Sequence, residues 1–288
     1  MSTTTTKVID LTPTIKLNAI ITSTPPDSQH HNTTTNSRPT VIFLHFWGGS
    51  ARTWSLVTPL ISSKGNPTVC LDLRGWGDSS GPSDADAYSI ASLADDVEAA
   101  ISSLGIDSFV LVGLSMGAKV TQLVAARNSN KGLRGLVLVS PAPPTPLSLP
   151  PDMREQQLHA YDGAESATFV ATNVLTASFR QPGRELPGFV IEDMLRGNEW
   201  AKRAWPAYAM AEDVSKNVDK VMVPVLVLAA EADVVEPVER VRKEVFERYK
   251  AGGESTCKLE ILPGSGHLSP LDVPEAVAEH VLGFLSAL

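Results

Sequence analysis

The sequence predicts an α/β fold: a mostly parallel central sheet flanked by helices, with a helical insertion after the sixth strand. Three observations carry this expectation. From residue 40 onward, short apolar runs alternate with helix-length stretches, the rhythm of strand–helix–strand units with right-handed crossovers. The runs are continuous rather than alternating, as expected for parallel strands covered on both faces. Finally, roughly 80 residues between the sixth and seventh strand candidates hold no strand pattern, too long for a structureless loop in a compact domain.

Residues 7–11 and 14–22 read as two short strands joined at Pro13. Residues 23–38 are polar and Pro-bearing, an exposed loop. The paired His30 and His31 lie there without a Cys or carboxylate cluster, so they read as solvated rather than metal-binding. Six further strands are expected at 40–45, 68–73, 109–114, 135–140, 223–229 and 257–262, with helices near 53–62, 88–104, 116–128, 238–250 and 272–288. The Pro-rich stretch 141–151 opens the strandless region. Residues 1–140 and 214–288 are therefore expected to form the core domain and 141–213 a helical cap over the carboxyl ends of the strands, where open α/β sheets bind ligands.

Composition excludes several functions. Of 288 residues, 24 are basic and 32 acidic, a net charge of −8. That argues against a nucleic-acid or anionic-membrane partner, which needs a basic face. Hydrophobic residues at 43% and charged residues at 19% supply a sizeable core. Cys70 and Cys257 sit in apolar runs and read as buried thiols, since two cysteines make no disulfide framework. No run of 18 apolar residues suits a membrane span. The start MSTTTTKVID lacks a basic region followed by an apolar stretch, so a cytoplasmic protein is expected. The Asn32-Thr33-Thr34 sequon then carries no meaning.

The segment Gly113-Leu114-Ser115-Met116-Gly117 is G-x-S-x-G between a strand candidate and an apolar-periodic helix. The pattern alone is weak, and a glycine-flanked serine closing a turn is its bland reading. In the strand–turn–helix context it marks a nucleophile on a sharp turn, with glycines allowing close backbone packing. A serine hydroxyl needs a base. Of six histidines, His30 and His31 lie in the polar loop, His159 in the insertion and His280 in the last helix, while His45 ends a core strand. His267, in the turn Gly264-Ser265-Gly266-His267 after the last strand, is at the right edge; its alternative is a cap on the final helix. An acid must fix the base. Asp233 is preferred over Glu231, because the strand should end near Ala230 and leave Asp233 in the loop. Oxyanion donors are expected from the Met116 amide and from the loop His45-Phe46-Trp47-Gly48-Gly49-Ser50, whose glycines alternatively mark a simple turn.

These segments resemble the α/β-hydrolase fold superfamily, in its small-cap esterase, lactonase and cofactor-free haloperoxidase-like branch. The likeness runs from about residue 38 to 288 through HFWGGS, the turn 72–79, GLSMG, EADVVEP and GSGH. It implies Ser115 as nucleophile, Asp233 as acid, His267 as base, and Trp47 and Met116 as oxyanion donors. One departure is Phe46, where the family usually has glycine. The resemblance implies a serine hydrolase acting on an apolar ester or lactone through an acyl-enzyme, with no metal or cofactor. Ser rather than Asp at the elbow sets it apart from epoxide hydrolases and haloalkane dehalogenases of this fold. Phe46, Trp205 and Tyr208 are candidates for an apolar substrate pocket, although aromatics of the insertion (Phe169, Phe179 and Trp200 among them) equally suit packing of the cap. Perhydrolysis or C–C cleavage by the same triad, and a non-catalytic ligand receptor, stand as alternatives. Substrate identity and oligomeric state are open at this stage.

Overall fold

The structure is a computed structural model that describes residues 2–24, 38–127, 131–252 and 256–288. His30, His31 and the Asn32 sequon lie outside the described residues. Eight strands are β1 (Thr3–Asp10), β2 (Lys16–Ser23), β3 (Thr40–Leu44), β4 (Thr68–Leu71), β5 (Phe109–Leu114), β6 (Leu133–Val139), β7 (Val225–Ala230) and β8 (Cys257–Leu262). They form one sheet in the order β1-β2-β4-β3-β5-β6-β7-β8. β2 is antiparallel to both of its neighbours, and the remaining pairings are parallel. The fold is the expected mostly parallel sheet flanked by helices.

Burial explains the strand patterns. Every residue of β5 and β7 is buried, so both faces select Val, Leu and Ala. β8 differs from the continuous pattern expected of it. Lys258 and Glu260 are exposed while alternate residues are half-buried, because an edge strand keeps one wet face. Cys257, at its start, is accordingly half-buried rather than buried; Cys70 in β4 is buried, and both thiols are free. β1 starts earlier than expected, since β-branched threonines pair with β2 out to Thr3 opposite Ser23.

The helices are α1 (Thr58–Ser62), α2 (Ile90–Leu104), α3 (Met116–Arg127), α4 (Pro151–Leu158), α5 (Ala164–Val170), α6 (Gly188–Arg196), α7 (Glu199–Ala207), α8 (Val238–Val241), α9 (Glu247–Ala251), α10 (Ser269–Asp272) and α11 (Pro274–Ser286). Ser89 caps α2 through its side chain on Ser92 N, and Gly105 ends it in the left-handed conformation. The helix expected at 238–250 is split by a π turn at Arg242–Phe246. The one expected from 272 divides at Val273, with Pro274 opening α11. Between β6 and β7 the described chain holds helices and turns and no strand; α4 to α7 lie there. α4 buries nothing, whereas α6 and α7 turn Val190, Met194, Ala201, Ala204 and Trp205 inward. No helix among the described residues is long and apolar enough to cross a membrane.

The turn after β4 is held by two buried ionic groups. Asp72 accepts from Asn18 Nδ2 at 2.8 Å and Asp78 N at 2.9 Å. Arg74 donates through Nε and Nη2 to the two oxygens of Asp96 on α2, at 2.5 and 2.6 Å, and through Nη1 to Ala87 O. Arg74 thus fastens the turn to α2. Arg74→Ala should cost about 3–5 kcal/mol in urea unfolding, because Asp96 is left buried and unpaired; a loss below about 1 kcal/mol would contradict this role.

Candidate active site

The elbow follows from crowding. Ser115 has φ +56° between β5 and α3, a left-handed conformation that costs a non-glycine residue about 1–2 kcal/mol. Its backbone is held from several sides: Ser115 N donates to Val139 O at 3.1 Å, and Ser115 O accepts from Ala118 N at 3.0 Å and Lys119 N at 3.1 Å. A Cβ on Gly113 would lie 2.5 Å from Gly117 O, and one on Gly117 would lie 2.5 Å from His45 O. Only glycine fits at either position, and the close approach of α3 to β5 and β3 depends on it.

His267 follows β8 through a turn in which Gly264 has φ +65°. Its Nδ1–H donates to Asp233 Oδ2 at 2.8 Å, with His267 2% and Asp233 5% exposed. The other carboxylate oxygen, Oδ1, accepts from Val235 N at 2.8 Å and Glu236 N at 2.9 Å. Asp233 therefore sits in the loop after β7 with a fixed orientation. Glu231, the rejected alternative, is occupied elsewhere: its Oε2 accepts from Gly264 N at 2.9 Å. Burial is the largest influence on the ring and disfavours its charge, but the Asp233 carboxylate, aided by Glu236, outweighs it and raises the His267 pKa. Burial also pushes Glu236 up to about 7. Among the described residues, Ser115 Oγ makes no hydrogen bond to the ring; contacts of this kind are often long without substrate.

On the third side lies the loop after β3. The amides of Trp47 and Met116 have no acceptor among the described residues. Gly48 has φ +98° and a Cβ there would meet the Tyr161 hydroxyl at 2.5 Å. Phe46 needs no left-handed backbone, since Gly48 makes the turn, and its ring presses on Gly49. This accounts for a side chain where the resemblance implied glycine. His45 is neutral and in one tautomer: Nδ1–H donates to Phe46 O at 2.7 Å, Nε2 accepts from Leu73 N at 3.0 Å, and burial lowers its pKa. Trp47 is fixed by Nε1 on Lys202 O at 2.9 Å and by Tyr161, which donates to Trp47 O at 2.9 Å.

Trp205 and Phe46 are buried, and Tyr208 uses its hydroxyl to accept from Tyr88 N at 3.1 Å. Phe169 is 61% exposed and lines nothing here. Several residues around the site escaped the sequence reading. Asp193 on α6 is buried and accepts from Ser50 Oγ at 2.6 Å and Arg52 Nε at 3.1 Å. Lys119 on α3 donates to Thr145 O at 3.0 Å and Met210 O at 2.8 Å, and burial lowers its pKa to about 8. Tyr161 and Asp272 also contact the loops of the site. Lone carboxylates and a lone tyrosine have no periodicity to betray them. Only Lys119, a charge on the apolar face of a helix, offered a signal. Among the described residues, no group of three or more His, Cys, Asp or Glu is placed to hold a metal ion.

The ring's charge balance is directly measurable. In an NMR titration His267 should protonate above the ordinary 6.5, because Asp233 outweighs burial. Asp233→Asn should drop it below 6.5, as burial then acts with less opposition. An unchanged midpoint would contradict the pairing.

The sequence model of the "Alpha/beta hydrolase family" matches residues 41–280. The bifunctional esterase/perhydrolase DCH of Acinetobacter calcoaceticus is 26% identical over 260 residues, covering 86% of this chain and 91% of that protein. The 3-oxoadipate enol-lactonase 2 of Acinetobacter baylyi is 25% identical over 245 residues, 83% and 85% of the two chains. In structure, the bromoperoxidase of Bacillus anthracis superposes with a TM-score of 0.80 at 18% identity over 99% of this chain and 100% of its own. The match spans the turn at Ser115, the loops carrying Asp233 and His267, and six of the eight strands, β3 to β8: the chain belongs to the alpha/beta hydrolase family and is an enzyme, a hydrolase.

Proposed function

We propose that the chain hydrolyses a carboxylic ester or lactone through Ser115, His267 and Asp233. The observation that carries this reading is the buried 2.8 Å hydrogen bond from His267 Nδ1 to Asp233 Oδ2, at the sheet edge where the strained Ser115 is displayed. It leaves Nε2 of the ring as the proton acceptor. Ser115 Oγ attacks the carbonyl carbon while Nε2 takes its proton. The amides of Met116 and Trp47 receive the oxyanion, an effect typically worth roughly 10²–10³ in turnover per donor. Collapse breaks the ester C–O bond and the imidazolium gives its proton to the departing alkoxide. Water, deprotonated by His267, then attacks the acyl-enzyme and frees the acid and Ser115.

Residues 141–213 serve in this reading as a cap on a core of residues 1–140 and 214–288. With Ser115 only 7% exposed, the cap excludes water and shapes the acyl pocket, with Phe46 and Trp205 as its apolar candidates. The Tyr208 hydroxyl, committed to Tyr88, is assigned to holding the cap. A second outcome from the same acyl-enzyme is perhydrolysis, in which hydrogen peroxide replaces water and a peracid leaves. The relative named as a bifunctional esterase/perhydrolase favours testing it.

With 4-nitrophenyl acetate the enzyme should release a burst of nitrophenol, and Ser115→Ala should lower kcat by at least about 10³-fold. Tight ligand binding with turnover unchanged in Ser115→Ala would favour a receptor instead. The rate needs the neutral ring, so kcat/KM should fall as pH drops through a His267 pKa above 6.5. A flat profile between pH 8 and pH 6, as measured by stopped assays, would argue against a histidine base.

A further inference from the structure

One buried carboxylate beside the base has no step in this reaction. Asp272 ends α10 and is 3% exposed. Its Oδ2 accepts from Gly266 N at 2.7 Å and Ala177 N at 2.8 Å. Its Oδ1 accepts from Ser178 N at 3.0 Å and Ser178 Oγ at 2.5 Å. Gly266 immediately precedes His267, whereas Ala177 and Ser178 belong to the cap. One carboxylate therefore holds two segments that are nearly 90 residues apart in sequence.

Its neighbours close the same seam. Leu268 N, on the other side of His267, donates to Leu175 O at 2.8 Å. A Cβ on Gly266 would lie 2.8 Å from Ala177 N, so the backbones touch without an intervening side chain. His267 is thus bracketed by Leu268, bonded to Leu175 O, and by Gly266, which packs against Thr176 and Ala177 and shares the Asp272 carboxylate with residues 177–178. Asp272 takes part in no ion pair among the described residues; its charge is met by three N–H groups and one hydroxyl. Ser115 and His267 are 7% and 2% exposed, and through these contacts a displacement of 175–178 would pull on both flanks of the base.

We propose that Asp272 is a positioning residue that places His267 only when cap residues 175–178 are seated, so that closure over the substrate and assembly of the base are one event. The inference rests on His267 being the base. Displacements of about 1 Å in a reacting group lower rates by up to about 10²-fold, and a base whose loop is tied to a moving cap is open to such a displacement.

The test compares wild type, Asp272→Asn, Ser178→Ala and His267→Ala on 4-nitrophenyl acetate, with thermal unfolding and the downfield His267 Nδ1–H proton resonance recorded for each. Asp272→Asn leaves one carbonyl oxygen in place of two acceptors, so that in either orientation the amide NH2 faces at least one backbone N–H that has lost its acceptor. It should lower kcat about 100-fold with KM changed less than about threefold, and broaden the ring proton signal. Ser178→Ala keeps the three N–H contacts and loses only the hydroxyl; it should lower kcat about fivefold at unchanged folded fraction. Wild-type kcat in folded Asp272→Asn overturns the proposal. If that variant does not fold, wild-type kcat in Ser178→Ala overturns it, and so does a kcat loss that only follows the folded fraction. Activity surviving in His267→Ala sinks the triad itself. A dead His267→Ala beside unimpaired Asp272→Asn and Ser178→Ala sinks the positioning role alone.

Discussion

Helix α3 lies so close to strands β5 and β3 that no side chain fits between them, and the geometry of this edge of the sheet follows from that approach. Gly113 faces the backbone of Gly117 and Ala118, and Gly117 faces the carbonyls of Leu44 and His45. The chain can then leave β5 and enter α3 in a single residue, at the price of a left-handed Ser115. Strain of this kind, about 1–3 kcal/mol, persists only where the surroundings over-determine it. Here the backbone bonds of Ser115 to β6 and to the first turn of α3 do so. The same turn leaves the Met116 amide without an acceptor at the start of a helix, where partial positive charge gathers.

Electrostatics at the edge is divided between two buried histidines with different fates. His45 accepts a backbone N–H and donates to a backbone carbonyl, which leaves it neutral and structural. His267 has a carboxylate partner, which raises its affinity for a proton despite burial. Neighbours, rather than residue type, separate a scaffold imidazole from the candidate base. The buried Glu236 adds negative potential beside the ring without touching Asp233's bond to it, since Oδ1 is already committed to loop amides.

Much of this was legible beforehand because parallel strands and a glycine-flanked strand-to-helix turn write themselves in contiguous residues. TVIFL, FVLVGL and VLVLAA are covered on both faces and read as unbroken apolar runs. GLSMG joins its strand to its helix within five residues. β8 read less well, since edge strands alternate, as CKLEIL does. The helices between β6 and β7 were the least legible. α4 has no buried face to impose a period, and the π turns at Ala171–Leu175 and Arg242–Phe246 break the helical repeat. The ties that seat this region are single polar groups: Asp193 to Ser50, Tyr161 to Trp47, and Lys119 to Thr145 and Met210. Each joins residues distant in sequence, so no local pattern announces it.

Those ties reach the loop after β3 and helix α3, so the geometry of the strand ends is shared with the helices above them. A crystal structure of the enzyme inactivated by an organophosphonate ester tests this account most directly. It predicts phosphorus bonded to Ser115 Oγ, the phosphoryl oxygen about 2.7–3.1 Å from the amides of Met116 and Trp47, and His267 Nε2 turned to the leaving-group side. An unmodified Ser115, or an adduct whose oxygen faces neither amide, would contradict it.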